Sequence, residues 1–219
     1  MNTQKRFLKK IISVRTFIYI IGIIILAFGI TLNTKTQLGV SPIISIPYNI
    51  STICKIPLGV TTFLCYTVMV FLQWILLGKK FKPHQFLQIL MSLITSAFIQ
   101  LFDTLIPIAN DLTLRYLLLL AAIIFTGIGA ALTVGMKIIP NPADGLASVI
   151  GMKLGKDFGF GKNVFDLSSI FISLCLGLLF AGQILGIGIG TICAMIFTGR
   201  VIALMQKPTN LLFTKVSLN

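Results

Sequence analysis

Uncharged, apolar windows recur along the chain near residues 16–34, 57–78, 85–102, 116–136, 167–182 and 183–199. A bilayer crossing takes roughly 20 apolar residues, so each window predicts one transmembrane helix. The last two windows form a single uncharged run. AGQILGIG (181–188) breaks it, and two antiparallel helices joined by a tight turn are expected there. Two proline-marked segments stand apart from the spans: SPII (41–44) and NPAD (141–144). Each places a capping residue, Ser41 or Asn141, before a proline suited to the first helical position. Asp144 follows Asn141 by three residues, as in a capping box. Two short helices are therefore expected, the first interrupted by Pro47 and the second closing near Gly155.

The chain also overlays itself at a shift of 100. Residues 28–45 fall on 128–145, matching Gly29 with Gly129, Leu32 with Leu132 and Pro42 with Pro142. With two inserted residues, 61–78 falls near 163–180. The expected fold is an all-α polytopic membrane protein. About six transmembrane helices form two inverted three-helix repeats, each with a short re-entrant or broken helix. The repeats cover residues 16–108 and 112–206, between a basic N-terminal segment (1–15) and a C-terminal tail (207–219). They are inverted because three is odd: the second repeat starts on the opposite side. Secondary transporters use this arrangement, with sites near the midplane where short helices of the two halves meet.

The paired G-x-x-L…P motifs (Gly29, Leu32, Pro42; Gly129, Leu132, Pro142) and the glycine-rich GIGIGT (186–191) resemble the YczE/YyaS/YitT family of bacterial integral membrane proteins, most closely its YczE-like branch. The resemblance runs over residues 15–205 or so. It implies a multi-pass inner-membrane protein of a family often labelled transporter or permease. It carries no settled substrate and no catalytic residues. GIGIGT is not read as a dinucleotide fingerprint, which needs a strand before it.

Composition narrows the class. Of 219 residues, 56% are apolar and 11% charged, against about 25% charged in soluble domains. The net charge of +13, from 18 basic and 5 acidic residues, does not point to nucleic acid. The basic residues flank spans instead of forming a patch with interleaved aromatics, and anionic membrane lipid is the expected partner. With the N-terminus inside, only Lys35, Lys55 and Arg115 of the 18 basic residues fall outside. The positive-inside rule then places both termini in the cytoplasm and the chain in the bacterial inner membrane. Counting 36–54 and its counterpart as full spans would put Lys79, Lys80 and Lys82 outside and break that bias. MNTQKRFLKKIISVR resembles a signal-peptide n-region, but no A-x-A site follows, so an uncleaved first helix is expected, with Lys5, Arg6, Lys9 and Lys10 on the membrane surface.

Little enzyme chemistry is available: one histidine, no glutamate, no H-E-x-x-H and no G-x-S-x-G. No cofactor or metal is expected, and Cys54, Cys65, Cys175 and Cys193 read as packing residues. Asp144 is the leading site candidate, because an ionisable group at membrane depth is a functional hypothesis by default. Its alternative role is to hold a helix start through the dipole. Ser41, Ser45, Asn49, Asn141 and Ser148 are expected to line the same cavity, or else to hydrogen-bond helices together. Asn163 and Asp166 form an N-x-x-D at the start of the fifth span, there to cap it or to face Asp144. Gln73 and Trp74 read as interfacial anchors, and Asp103 and Asp111 as solvated. Gly182, Gly186, Gly190, Ala194 and Thr198 make a small-residue stripe on the sixth span, for internal packing or a homodimer. Two functions follow: a transporter of a small solute or ion, or a non-transporting membrane partner of another protein.

Overall fold

The computed structural model describes the backbone of residues 2–218 and the side chains of residues 14–214. Lys5, Arg6, Lys9 and Lys10 lie outside the described side chains. Among the described residues the fold is helical throughout: α1 (Asn2–Lys35), α2 (Pro42–Cys54), α3 (Leu58–Leu77), α4 (Leu87–Leu105), α5 (Leu112–Gly135), α6 (Pro142–Lys153), α7 (Phe158–Ala181) and α8 (Ile189–Leu218). Six of them, α1, α3, α4, α5, α7 and α8, contain stretches long and apolar enough to cross a bilayer. α2 and α6 have 13 and 12 residues. At 1.5 Å per residue these helices are about 20 Å and 18 Å long, well short of a 30 Å hydrocarbon core.

Side-chain bonds set the direction of the short helices. Ser45 Oγ donates to Ser169 O, and Asn49 Nδ2 donates to Ser173 Oγ. α2 thus runs alongside α7 in the same sense. On the other side, Gln73 Nε2 donates to Pro142 O, while Ala147 and Gly151 of α6 lie against Gly161 near the start of α7. α6 therefore runs against α7. The two short helices start in the interior and end at opposite ends of the bundle. One end carries Lys79, Lys80, Lys82, Lys153 and Lys156. There Arg15 Nη2 donates to Met136 O at 2.6 Å, tying α1 to the end of α5. At the other end Lys35 pairs with Asp103 at 2.8 Å.

Boundaries repeat at a spacing of 100. α1 and α5 end at Lys35 and Gly135, α2 and α6 start at Pro42 and Pro142, and α3 and α7 start at Leu58 and Phe158. The left-handed residues match too: Gln37 (φ 55) with Lys137 (φ 51), and Lys55 (φ 56) with Gly155 (φ 65). The register holds without insertion up to the starts of α3 and α7. The central contact, between α1 and α5, obeys the same spacing. Gly29 abuts the backbone of Thr126, and Gly129 abuts the backbone of Leu26. Neither site has room for a Cβ. Around this pair, Leu26, Ala27, Ile30, Ile44, Tyr66 and Ile99 form the buried core. Outward faces carry Ile75, Phe171, Leu179 and Phe180, which suits lipid.

Four details differ from expectation. α7 starts at Phe158, well before residue 167, because Lys162, Asn163 and Asp166 interrupt the apolar window without interrupting the helix. α2 continues through Pro47. Gly182 and Gly186 form the turn before α8, with φ of 67° and 66°, so only Gly190, Ala194 and Thr198 of the stripe are helical. Cys54 is exposed at the end of α2. Gly129→Val should cost about 2 kcal/mol or more, since overpacking strains a close helix contact. Gly199→Ala, inside α8 with open space around it, should leave stability unchanged or raise it by up to about 1 kcal/mol. Thermal unfolding of the two variants in detergent checks this contrast.

Candidate functional site

The interior starts of α2 and α6 meet at a cavity of about 340 Å³. α7 and α8 form its other walls, with Leu26 of α1 and Thr126 and Ala130 of α5 behind. Its polar lining includes Ser41, Asp144, Lys162, Asn163, Asp166 and Gln206. Lys162 and Asp166 are one helical turn apart, so α7 presents them on one face. They form an ion pair at 2.6 Å, with the Asp166 side chain only 4% exposed. Asp144 is 7% exposed, beside this pair. It receives no hydrogen bond and no ion pair among the described residues. Ser41 is also 7% exposed, and its hydroxyl is buried without a partner.

The capping roles fall differently from the sequence pattern. Asn141 Oδ1 accepts from Ala143 N at 3.0 Å and caps α6 by itself. Asp144 does not reach back to close a capping box; it faces the cavity. Ser41 occupies the cap position of α2 without a side-chain capping bond. α7 is capped by Asp157, which accepts from Phe160 N at 3.0 Å. Asn163 and Asp166 therefore do not cap the fifth span, and the partner of Asp166 is Lys162.

The structure brings Ser41, Asp144 and Asp166 together and leaves the other expected residues elsewhere. Ser45 and Asn49 are fully buried between α2 and α7. Asn49 Nδ2 donates to Ser45 O, Ser173 Oγ and Leu185 O. These residues hold helices together. Ser148 is exposed on the outer face of α6. Asn141 borders a separate, much smaller cleft with Tyr19, Thr133 and Pro142. Lys162, counted in the sequence as a charge at the membrane surface, is the missed member. Its signal was the Lys-x-x-x-Asp spacing, hidden by reading the segment as a loop.

A profile for a family of unknown function, DUF6198, matches residues 13–207. The chain belongs to that family. It is also similar to the uncharacterized membrane protein YczE of Bacillus subtilis (strain 168), with 24% identity over 202 residues, 89% of this chain and 86% of that protein. No solved structure matches. The YczE-like resemblance of the paired motifs thus holds, and the chain is a multi-pass membrane protein.

The family match spans both short helices and the cavity, and also the space that corresponds to the cavity in the first half. That space is closed. Tyr66, the counterpart of Asp166 at the spacing of 100, is completely buried beneath α4. Gln73 and Gln88 exchange amide hydrogen bonds at 3.1 Å, and Gln73 also holds Pro142 O at 3.0 Å. Gln73 is thus a clamp on the start of α6, not an interfacial anchor. α3 packs along α4 here, whereas α7 and α8 stand apart. The ion pair supplies a test. Lys162→Met leaves Asp166 buried without its cation and should cost about 2 kcal/mol or more. The double variant Lys162→Met/Asp166→Leu should recover most of that loss in chemical unfolding.

Proposed function

We propose that this protein is an inner-membrane transporter of a small solute or ion, built as two inverted repeats around a cavity near the membrane midplane. One observation carries the reading. Two short helices that end at opposite ends of the bundle start at the same cavity, beside a buried carboxylate with no hydrogen bond or ion pair among the described residues. Non-helical backbone within a membrane is tolerated where it is buried in protein or lines a water-filled cavity. Helix starts facing such a cavity are the usual substrate and ion sites of secondary transporters. The matched boundaries and the reciprocal Gly29 and Gly129 contacts support a duplication. The opposed directions of α2 and α6 support its inversion.

The two halves also differ in the way alternating access requires. The space between α7 and α8 is open, while its counterpart under α4 is filled by Tyr66 and the two glutamines. Movement of one half against the other, about the α1–α5 contact, would close the first space and loosen the second. Lys79, Lys80, Lys82, Lys153 and Lys156 cluster at one end, which supports a cytoplasmic assignment of that end and of both termini.

Thiol accessibility in intact cells tests the cavity. The four native cysteines are replaced by Ala or Ser, and single cysteines are placed at Ser41, Asp144, Ser45 and Asn49. Cysteines at 41 and 144 should react with a small water-soluble reagent, while those at 45 and 49 stay protected. Protection at all four would retire the transport reading in favour of a non-transporting membrane partner. A fluorescent protein fused after Asn219 should fluoresce, and a periplasmic phosphatase at the same point should be inactive, if the C-terminus is cytoplasmic.

A further inference from the structure

The two short helices present unlike starts to the cavity. α6 brings its own anion, Asp144 in its first turn, and Asn141 caps it. α2 has no acidic residue in its first turn and no side-chain cap. Ile44 stands where α6 has Asp144. The Ser41 hydroxyl beside this start is more than nine-tenths buried and has no partner among the described residues. Pro42 has no N–H and Ile44 N donates to Ser41 O at 3.1 Å, so this start offers a carboxylate the Ile43 N–H and the positive end of the dipole, and the serine hydroxyl adds a donor.

Asp144 makes the opposite demand. A buried carboxylate is costly without a cation or hydrogen-bond donors. Among the described residues Lys162 is the only lysine lining the cavity, and it is held by Asp166 at 2.6 Å. Arg200 lines the cavity's edge, exposed, with its guanidinium over the Phe197 ring. Two carboxylates, one ammonium and two helix starts of about half a positive charge each sum near zero. A ligand of zero net charge preserves that balance. A lone cation would leave the start of α2 unsatisfied, and a lone anion would leave Asp144 so. The volume, about 340 Å³, lies at the small end of ligand pockets, which span roughly 300–1,000 Å³.

We infer that the cavity takes a small zwitterion of the amino-acid type, with its ammonium on Asp144 and its carboxylate at Ser41 and the start of α2. This rests on the transport reading of the same cavity and gives it a substrate class.

The test is thermal unfolding of the full chain in detergent. The probes are the twenty protein amino acids, ethylamine, propionate and phosphoethanolamine, at equal concentration. At least one small amino acid should raise the midpoint, while ethylamine and propionate leave it in place. Asp144→Asn should weaken that binding at least about thirty-fold and abolish the preference over propionate. Ser41→Ala should weaken it about fivefold, with Ser45→Ala as a matched control outside the cavity. If Asp144→Asn does not fold, the Ser41 and Ser45 pair decides. The inference is overturned if no amino acid shifts the midpoint, if ethylamine or propionate binds as well, or if binding ignores these substitutions. Preference for phosphoethanolamine over every amino acid also overturns it, in favour of a lipid headgroup. Reactive cysteines at 41 and 144 with no response to the amino acids would sink this inference alone. Protected cysteines would sink the transport reading beneath it.

Discussion

A helix that starts inside a membrane leaves its first N–H groups with no water to bind. Under the proposed architecture this protein contains two such starts, at Pro42 and Pro142, and much of its structure answers to them. Proline removes one unsatisfied N–H at each start. Asn141 satisfies another on α6. Gln73, itself held by Gln88, anchors the same start by donating to the Pro142 carbonyl. Ser45 and Asn49 tie α2 to α7 in the equivalent place. Asp144 and the Ser41 hydroxyl, which no group among the described residues satisfies, lie at the cavity. The polar site is thus a consequence of ending helices in the interior, and not a feature added to a finished bundle.

The α1–α5 contact makes the placement of those starts possible. With no side chain at Gly29 or Gly129, each backbone comes up to the other helix directly. Close approach of small residues is a principal means of helix association where lipid removes the hydrophobic drive. The pair is self-complementary: position 29 meets 126, and 26 meets 129. Beside this contact α2 packs against α7 and α6 against α3.

Much of this was legible in the sequence. Six spans, two short helices and the spacing of 100 follow from apolar windows, from Ser41-Pro42 and Asn141-Pro142, and from the matched glycines, because covalent and packing constraints act locally at those residues. The cavity membership was less legible. Ser41, Asp144 and Asp166 were found from their positions at helix starts or at membrane depth. Ser45 and Asn49 follow the alternative the sequence left open and tie helices together, while Ser148 faces outward, because a polar residue on a short helix can face a cavity, a neighbouring helix or the surface, and only packing decides. Lys162 and Asp166 illustrate the opposite failure. Their pairing cancels charge inside a helix, but a hydropathy window sees two charges and ends the span too soon.

The difference between the halves carries the most functional weight. If duplication alone shaped the protein, positions 66 and 166 would fill equivalent space in the same way. Instead Tyr66 fills its space with an aromatic ring, and Asp166 with a carboxylate that requires Lys162. Ile44 and Asp144 diverge in the same direction. A bundle under selection only for packing would gain from apolar residues at both places, since replacing buried ion pairs by well-packed apolar groups is often neutral or stabilising. Charge on one side of a pseudo-symmetric pair is thus a cost to the fold. Its presence beside an uncapped helix start, in the half whose outer helices stand apart, is what directs attention to a ligand.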